Sequence, residues 1–504
     1  MPTLPDTMLA RLFRSGLILF AVFALVWTAT ILWWQSIHRM PTTTDIVTHL
    51  FLLPAGMVAG YLVIRRALDG IRRNVAAAVS TPAAAAQDGG DSADGAVPDD
   101  DPARRWRALV LGAALHTAKG GDTAATAAAT AEQQRPDVVD VLGDGMPIFA
   151  APAEDIDVDG TREALEQAFA ELPWNDEAVR TVALASDVAE RLVAQVLEQY
   201  PGLYFAAADE TTTAPQAEEP PRLVLALLLP ERWQAPMAAA AGQYVRGRLT
   251  GLWPVERISM ETLTAKGDGD AMVQVDRAIL ALHREPTHEL RGVIAADSHI
   301  GAEAIDRLRA TNRLFSAQCE HGVAPSEAAA GILLYPPQGP LAAMLAQDAP
   351  PASIGRATLT RLDAPTPDKG QPRTAALDQA IAQTVGLLAE PADDAKTKDD
   401  DQAEPAAEPA PAPQPVVVTA DISPHPVRTV ELARVFSERF GELDVSADLL
   451  AVGTACGYTG NAGALLAIVL AHQQCAERGG PALALTAADP QQRGAIAVLP
   501  PATT

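Results

Sequence analysis

The stretch "AVGTACGYTGNAGALLAIVLA", Ala451–Ala471, sets glycines and small residues directly before an apolar run. Its spacing and its lack of a lysine exclude a Walker-type phosphate loop. The glycines therefore predict a tight turn feeding a closely packed, buried helix. A similar unit, "KGDGDAMVQVDRAILAL", occupies Lys266–Leu282. The first copy continues into "GVIAADS" (Gly292–Ser298) and "EAAAGILLYPP" (Glu327–Pro337). The second continues into "LALTAADP" (Leu483–Pro490) and "RGAIAVLPP" (Arg493–Pro501). One turn–helix–strand–strand unit thus occurs twice, once in each half, and such a repeat sets the architecture.

Outside the repeat, buried strand-like runs alternate with helical ones. "RALVLGAAL" (Arg107–Leu115) and "RLVLALLL" (Arg222–Leu229) read as strands, and Glu177–Tyr200 has helical spacing of its apolar positions. This alternation predicts an α/β fold. The chain has 504 residues and a net charge of −25, with no long basic stripe, so nucleic acid is excluded as a partner. Cys319, Cys456 and Cys475 are widely spaced and form no CxxC pair, which disfavours a disulfide framework or zinc site and favours a reducing compartment.

Residues 1–73 read as a two-helix membrane anchor. Ser15–Trp34 and Ile46–Ile64 are apolar and long enough to span a bilayer. Gly56 and Gly60 form a GxxxG through which two membrane helices could pack. Arginines flank the pair at 11, 14, 65, 66, 72 and 73, while the short loop between the spans holds only Arg39. The positive-inside bias places both ends, and the bulk of the chain, in the cytoplasm. A cleaved signal peptide is the competing reading of the first span, and the second would still anchor the chain. Residues 74–103 and 390–415 read as acidic or Pro-rich disordered segments. They delimit expected units at 104–389 and 416–504.

Duplicated halves in this order resemble the thiolase fold of ketoacyl synthases and related condensing enzymes. The resemblance covers roughly 104–501. Its Gly-His-Thr-Gly-x-x-Gly signature is matched by Gly457, Tyr458, Thr459, Gly460 and Gly463, with tyrosine in place of histidine. Its Thr-Ala-Cys nucleophile segment is similar to Thr264, Ala265, Lys266 and Gly267, with lysine in place of cysteine. Its remaining histidine, counted back from Glu431, falls at Ala420; His425 precedes Pro426 without the family's glycine turn. A condensing enzyme needs a thiolate at a helix start and polar groups to hold the thioester oxygen. The resemblance therefore implies a pseudoenzyme degenerate at Lys266, Ala420 and Tyr458, with no cofactor and no metal. Cys456 lies in the wrong half to be the nucleophile and reads as packing.

Other candidate chemistry is weaker. His283, His288, Glu289 and His299 suggest a metal cluster, but there is no HExxH and Pro286 breaks the helical face. Asp297 and its repeat counterpart Asp489 read as strand-end turn residues. Within the family, the chain looks similar to membrane-associated lipase adaptors encoded with bacterial type VI secretion systems. "DGMPIFAAP" (Asp144–Pro152), "LLLPERWQ" (Leu227–Gln234) and "GVAPSEAAAGILL" (Gly322–Leu334) carry that similarity. It implies a non-catalytic adaptor at the bacterial inner membrane, holding a protein client such as a lipase effector or a secretion-spike protein. The alternative is an inactive ketosynthase-like partner of a fatty-acid or polyketide condensing system. For that reading Arg291, Arg307, Arg309 and Arg313 would supply a basic patch for an acidic carrier protein. Either reading allows two copies to pair across a sheet edge, as thiolase-fold proteins do.

Overall fold

The computed structural model describes residues 101–205, 220–284, 288–342, 344–345, 350–366, 370–388 and 414–501. The expected membrane spans, with Gly56 and Gly60, lie outside these residues. No helix among the described residues is long and apolar enough to cross a membrane.

The strands are β1 (Arg107–His116), β2 (Asp137–Val139), β3 (Ile148–Ala150), β4 (Arg222–Leu229), β5 (Ile258–Thr264), β6 (Glu289–Ser298), β7 (Glu327–Tyr335), β8 (Ser353–Gly355), β9 (Thr358–Arg361), β10 (Val417–Ala420), β11 (Leu449–Ala451), β12 (Ala482–Thr486) and β13 (Gln492–Leu499). The helices used below are α1 (Thr123–Ala131), α2 (Val158–Ala168), α3 (Asp176–Gln199), α4 (Ala235–Arg248), α5 (Asp270–Arg284), α6 (Ala302–Ala310), α7 (Ala375–Gly386), α8 (Pro426–Arg439) and α9 (Gly463–Arg478).

The duplication is visible in the strand pairing. The first half runs β5-β4-β6-β7-β1 and the second runs β11-β10-β12-β13, with β9 also on β13. Within each, the first three strands are parallel (β5-β4-β6 and β11-β10-β12). The last two pairings are antiparallel (β6-β7-β1 and β12-β13-β9). The "AADS" and "AADP" motifs fall at the ends of β6 and β12, which are equivalent strands in this order. Short β8 pairs with both β1 and β13 and joins the halves into one eleven-stranded sheet.

This pairing moves the boundary read from the sequence. β9 and α7, placed there in the 104–389 unit, complete the second half: Arg361 to Thr358 pair with Gln492 to Ala495, and α7 packs on β9 and β13. Ahead of the expected start at Arg104, Asp101 caps a 3-10 turn over Pro102–Arg105.

Side-chain alternation along the strands sorts the core into layers. In β6, Ile294 and Ala296 face a cluster shared with α3 and α4, while Val293 and Ala295 face one shared with α5 and α9. In β12, Leu483 and Leu485 face α7 and α8, while Ala482 and Ala484 face α9. Three helix layers therefore interleave with the two sheet halves. Strands covered on both sides are largely apolar, and every residue of β7 is buried, with Glu327 at its start the one charged residue. α9 is buried continuously from Gly463 to Ala471, because it lies in the central layer. α5 has the same place in the first repeat, but only one of its faces is buried.

Candidate functional site

The two repeated turns meet at one place. Gly457 and Gly460 adopt left-handed φ of +70° and +54°. A Cβ on Gly457 would stand 2.9 Å from Ala324 O, and one on Gly460 would overlap Asp297 Oδ2 and lie 2.8 Å from His299 Nε2. Both the backbone conformation and the close approach thus require glycine. Between them, Tyr458 points to the turn before α5, its hydroxyl 3.2–3.3 Å from both Asp268 carboxylate oxygens.

Beneath Tyr458 a polar chain runs into the first half. His299 stacks on the Tyr458 ring, with centroids 4.7 Å apart, and its Nε2 lies 3.5 Å from Asp297 Oδ2. Arg232 donates to Asp297 Oδ1 and to Ser298 O, each at 2.7 Å. From above, the Arg313 guanidinium sits 5.2 Å from the Tyr458 ring centroid, a cation–π distance.

These contacts push neighbouring carboxyls in opposite directions. Burial, and then the negative Asp421 nearby, raise Asp268 to about 6. Burial would raise Asp297 too, but His299 and Arg232 outweigh it and hold that carboxyl well below its usual range. The Tyr458 phenol is pushed up, by burial first and then by Asp268, and remains protonated near neutrality.

Asp268, Tyr458 and Arg313 line a cleft of about 950 Å³, together with Lys266, His321, Ser423, His425, Arg428 and Asp489. Among the described residues, the largest aliphatic side chain on its wall is Val323. Lys266 is exposed at the rim, its backbone N–H bonded to Asp270 Oδ2 at 2.6 Å. The residue that faces Tyr458 is Asp268, two positions further along. Ala420 is not on the cleft: it ends β10 inside the apolar cluster with Ile422 and Leu432. The next residue, Asp421, accepts from Thr486 Oγ1, Ala487 N and Ala488 N and fixes the turn after β12. His425, discounted by its proline, does reach the cleft wall. Cys319 reaches it as well, from the loop 312–323 rather than from a helix start, its thiol donating to Asn312 O at 3.1 Å. Buried Cys456 packs in the central apolar cluster, and burial raises its thiol to about 11.

The remaining candidates are dispersed. His283 stacks on Trp106 at 4.8 Å and bonds Arg107 O at 2.7 Å. Glu289 lies between Arg222 and Arg291, so these two are not gathered with His299. Arg291 pairs with Glu289, Arg307 with Glu177, Arg309 with Asp306, and Arg313 covers Tyr458. The four arginines serve separate partners. Asp489 is a turn residue, as expected, accepting from Gln491 N and Gln492 N. Asp297 is not; its burial against Arg232 makes it part of the site. Asp268, Asp297, His299 and Arg232 were missed as a group: the sequence offered His299 only as a metal candidate and Asp297 only as a turn residue, and nothing in it joined them.

No family model and no curated protein matches this sequence. Solved structures do share its fold. The ishigamide ketosynthase/chain length factor is 12% identical, with a TM-score of 0.50, over 78% of this chain and 99% of that one. A type II polyketide synthase acyl-carrier protein in complex with its ketosynthase bound to the hexaketide is 10% identical, with a TM-score of 0.51, over 78% of this chain and 99% of that one. The body of the chain therefore has the ketosynthase, thiolase-like fold.

Proposed function

We propose that the chain is a non-catalytic ketosynthase-fold protein that works by binding another protein, as an inactive partner of a fatty-acid or polyketide condensing system. One observation carries this reading. Where the fold's two repeats meet, the cleft presents Asp268 and Tyr458, and among the described residues no cysteine stands at a helix start facing it. A carboxylate with a phenol can hold and exchange a proton, but it does not form the acyl thioester that condensation needs. The likeness of fold to a ketosynthase/chain length factor supports a role beside an active synthase.

A second reading is the membrane-anchored adaptor that holds a secreted lipase or a spike protein on the cytoplasmic face. Two observations favour it. Among the described residues, the cleft wall has no large aliphatic side chain to line an acyl tunnel. The β2–β3 hairpin, where "DGMPIFAAP" lies, exposes Val138, Met146 and Phe149, and such clustered apolar groups suit a partner surface. Co-purification of the full chain from membranes in mild detergent separates the two readings. A stoichiometric ketosynthase or carrier protein supports the first; a lipase or spike protein supports the second. Recovery of the chain alone, from its native cells, counts against both.

A further inference from the structure

A second cleft, of about 500 Å³, opens where the start of α3, the turn after β4 and helix α6 converge. One wall is apolar. Trp174 and Trp233 meet edge to face, centroids 6.4 Å apart, and partly buried Met237 extends their surface. The other wall is built on Glu177, whose side chain is only 4% exposed. Its Oε2 accepts from Arg307 Nη2 at 3.1 Å and lies 3.7 Å from Arg232 Nε. A Cβ on Gly301 would stand 2.7 Å from Glu177 Cγ, so a glycine there makes room for this buried carboxylate.

The charges that reach the cleft differ from those beneath it. Arg307 is 44% exposed and gives only Nη2 to Glu177 among the described residues, which leaves its Nε and Nη1 donors to the cleft. Arg232 is committed to Asp297 and Ser298. Glu303, the further carboxylate on the wall, accepts from Asn175 Nδ2 at 2.9 Å. α6 also begins at Gly301 without a side-chain cap, but Glu303 lies in its first turn and offsets that positive end, so Arg307 is the group that supplies the cleft's positive charge. A guanidinium with open donors beside two indoles and a thioether matches a carboxylate on an apolar body.

We propose that this cleft binds a carboxylate adjoining an apolar group, of the kind found at an apolar C-terminal residue. The apolar group lies against Trp174, Trp233 and Met237, and the carboxylate takes the open N–H groups of Arg307. The inference is independent of what occupies the Asp268 cleft.

The test is a titration of the full-length chain, in mild detergent, followed by indole fluorescence and calorimetry. N-acetyl-leucine is expected to saturate, and N-acetyl-leucinamide, which lacks the charge, to bind at least about tenfold more weakly. Arg307→Ala should weaken the acid by about tenfold or more. Because Arg307→Ala also disturbs Glu177, Met237→Asp gives a second check: it sets a repelling carboxylate on the partly exposed wall and should abolish binding while leaving the unfolding curve in place. Source is resolved by two further probes. Tighter binding of a tripeptide ending in free leucine assigns a chain terminus, and tighter binding of dodecanoate assigns a fatty acid. Equal binding of acid and amide, a response unchanged by Met237→Asp, or no saturation by any of the four probes would overturn the proposal.

Discussion

The two halves bury the same kind of ion pair with the charges exchanged. In the first, β7 contributes Glu327, held by Arg180 from α3 and by Ser298 Oγ. In the second, β13 contributes Arg493, which bonds Glu431 from α8 at 2.8 and 3.0 Å. Both members of the second pair are fully buried, whereas Arg180 is partly exposed. The difference continues at the equivalent strand ends. Asp297 became a buried charge with Arg232 and His299 beneath it, while Asp489 stayed a turn residue. The repeat thus fixes where polar groups are placed, and each half has found its own chemistry for them. At these equivalent strand ends the second half's aspartate holds a turn, whereas the first half's is a buried charge beneath Tyr458.

If that division is right, breaking the second half's pair has the largest effect. Glu431→Ala strands a buried guanidinium and is expected to cost about 3–5 kcal/mol in chemical denaturation. A loss below about 1 kcal/mol would mean that Arg493 is satisfied by Thr366 and the backbone alone. Next is the glycine turn. Gly460→Ala meets both a left-handed φ and the Asp297 carboxylate, and should cost about 2–4 kcal/mol. Its counterpart Gly269→Ala would meet only the side-chain ends of Gln492 and Thr486, each at 3.0 Å. That substitution should stay under about 1 kcal/mol by the same assay.

A smaller effect depends on pH. The folded chain raises Asp268 to about 6 from its ordinary 3.8, so between those values the folded state binds more protons than the unfolded one. Stability from this group is complete below about pH 4 and is lost as pH rises through about 6. Asp268→Asn, which carries no charge to desolvate, should therefore exceed the parent by about 1–3 kcal/mol at pH 7 and match it near pH 4. Denaturation curves at the two pH values measure this directly, and a larger gain at low pH would reverse the assignment. The least effect belongs to the exposed hairpin: Phe149→Ser should change stability by no more than about 1 kcal/mol, since its ring touches Phe315 alone among the described aromatics.

Much of the fold was legible because the repeat is local. A helix, a buried strand and a second strand follow one another in each half, and periodicity reads such units directly. Gly457 and Gly460 were legible for the same reason, as a tight turn before an apolar helix. The unit boundary at 389/416 was not, because β9 is four residues long and joins β13 more than a hundred residues away. The site was less legible still. Arg232, Asp268, the Asp297–His299 segment and Arg313 come from separate parts of the first half, and Tyr458 reaches them only when the two repeats dock. Counting from a family signature stopped at Lys266, whereas geometry places Asp268 against Tyr458. Likewise it chose Ala420, whose position in the outer apolar cluster is set by strand alternation, over His425.

The most direct test of a non-catalytic cleft is condensation itself. The full-length chain would be offered an acyl thioester with a malonyl thioester, and carbon–carbon bond formation followed by mass. No product is expected from the parent, nor from Lys266→Cys or Asp268→Cys, since Ala420 is buried away from the cleft and offers no side-chain donor, which leaves at most the Tyr458 hydroxyl for the thioester oxygen. Turnover by the parent, abolished by Asp268→Asn, would contradict the account.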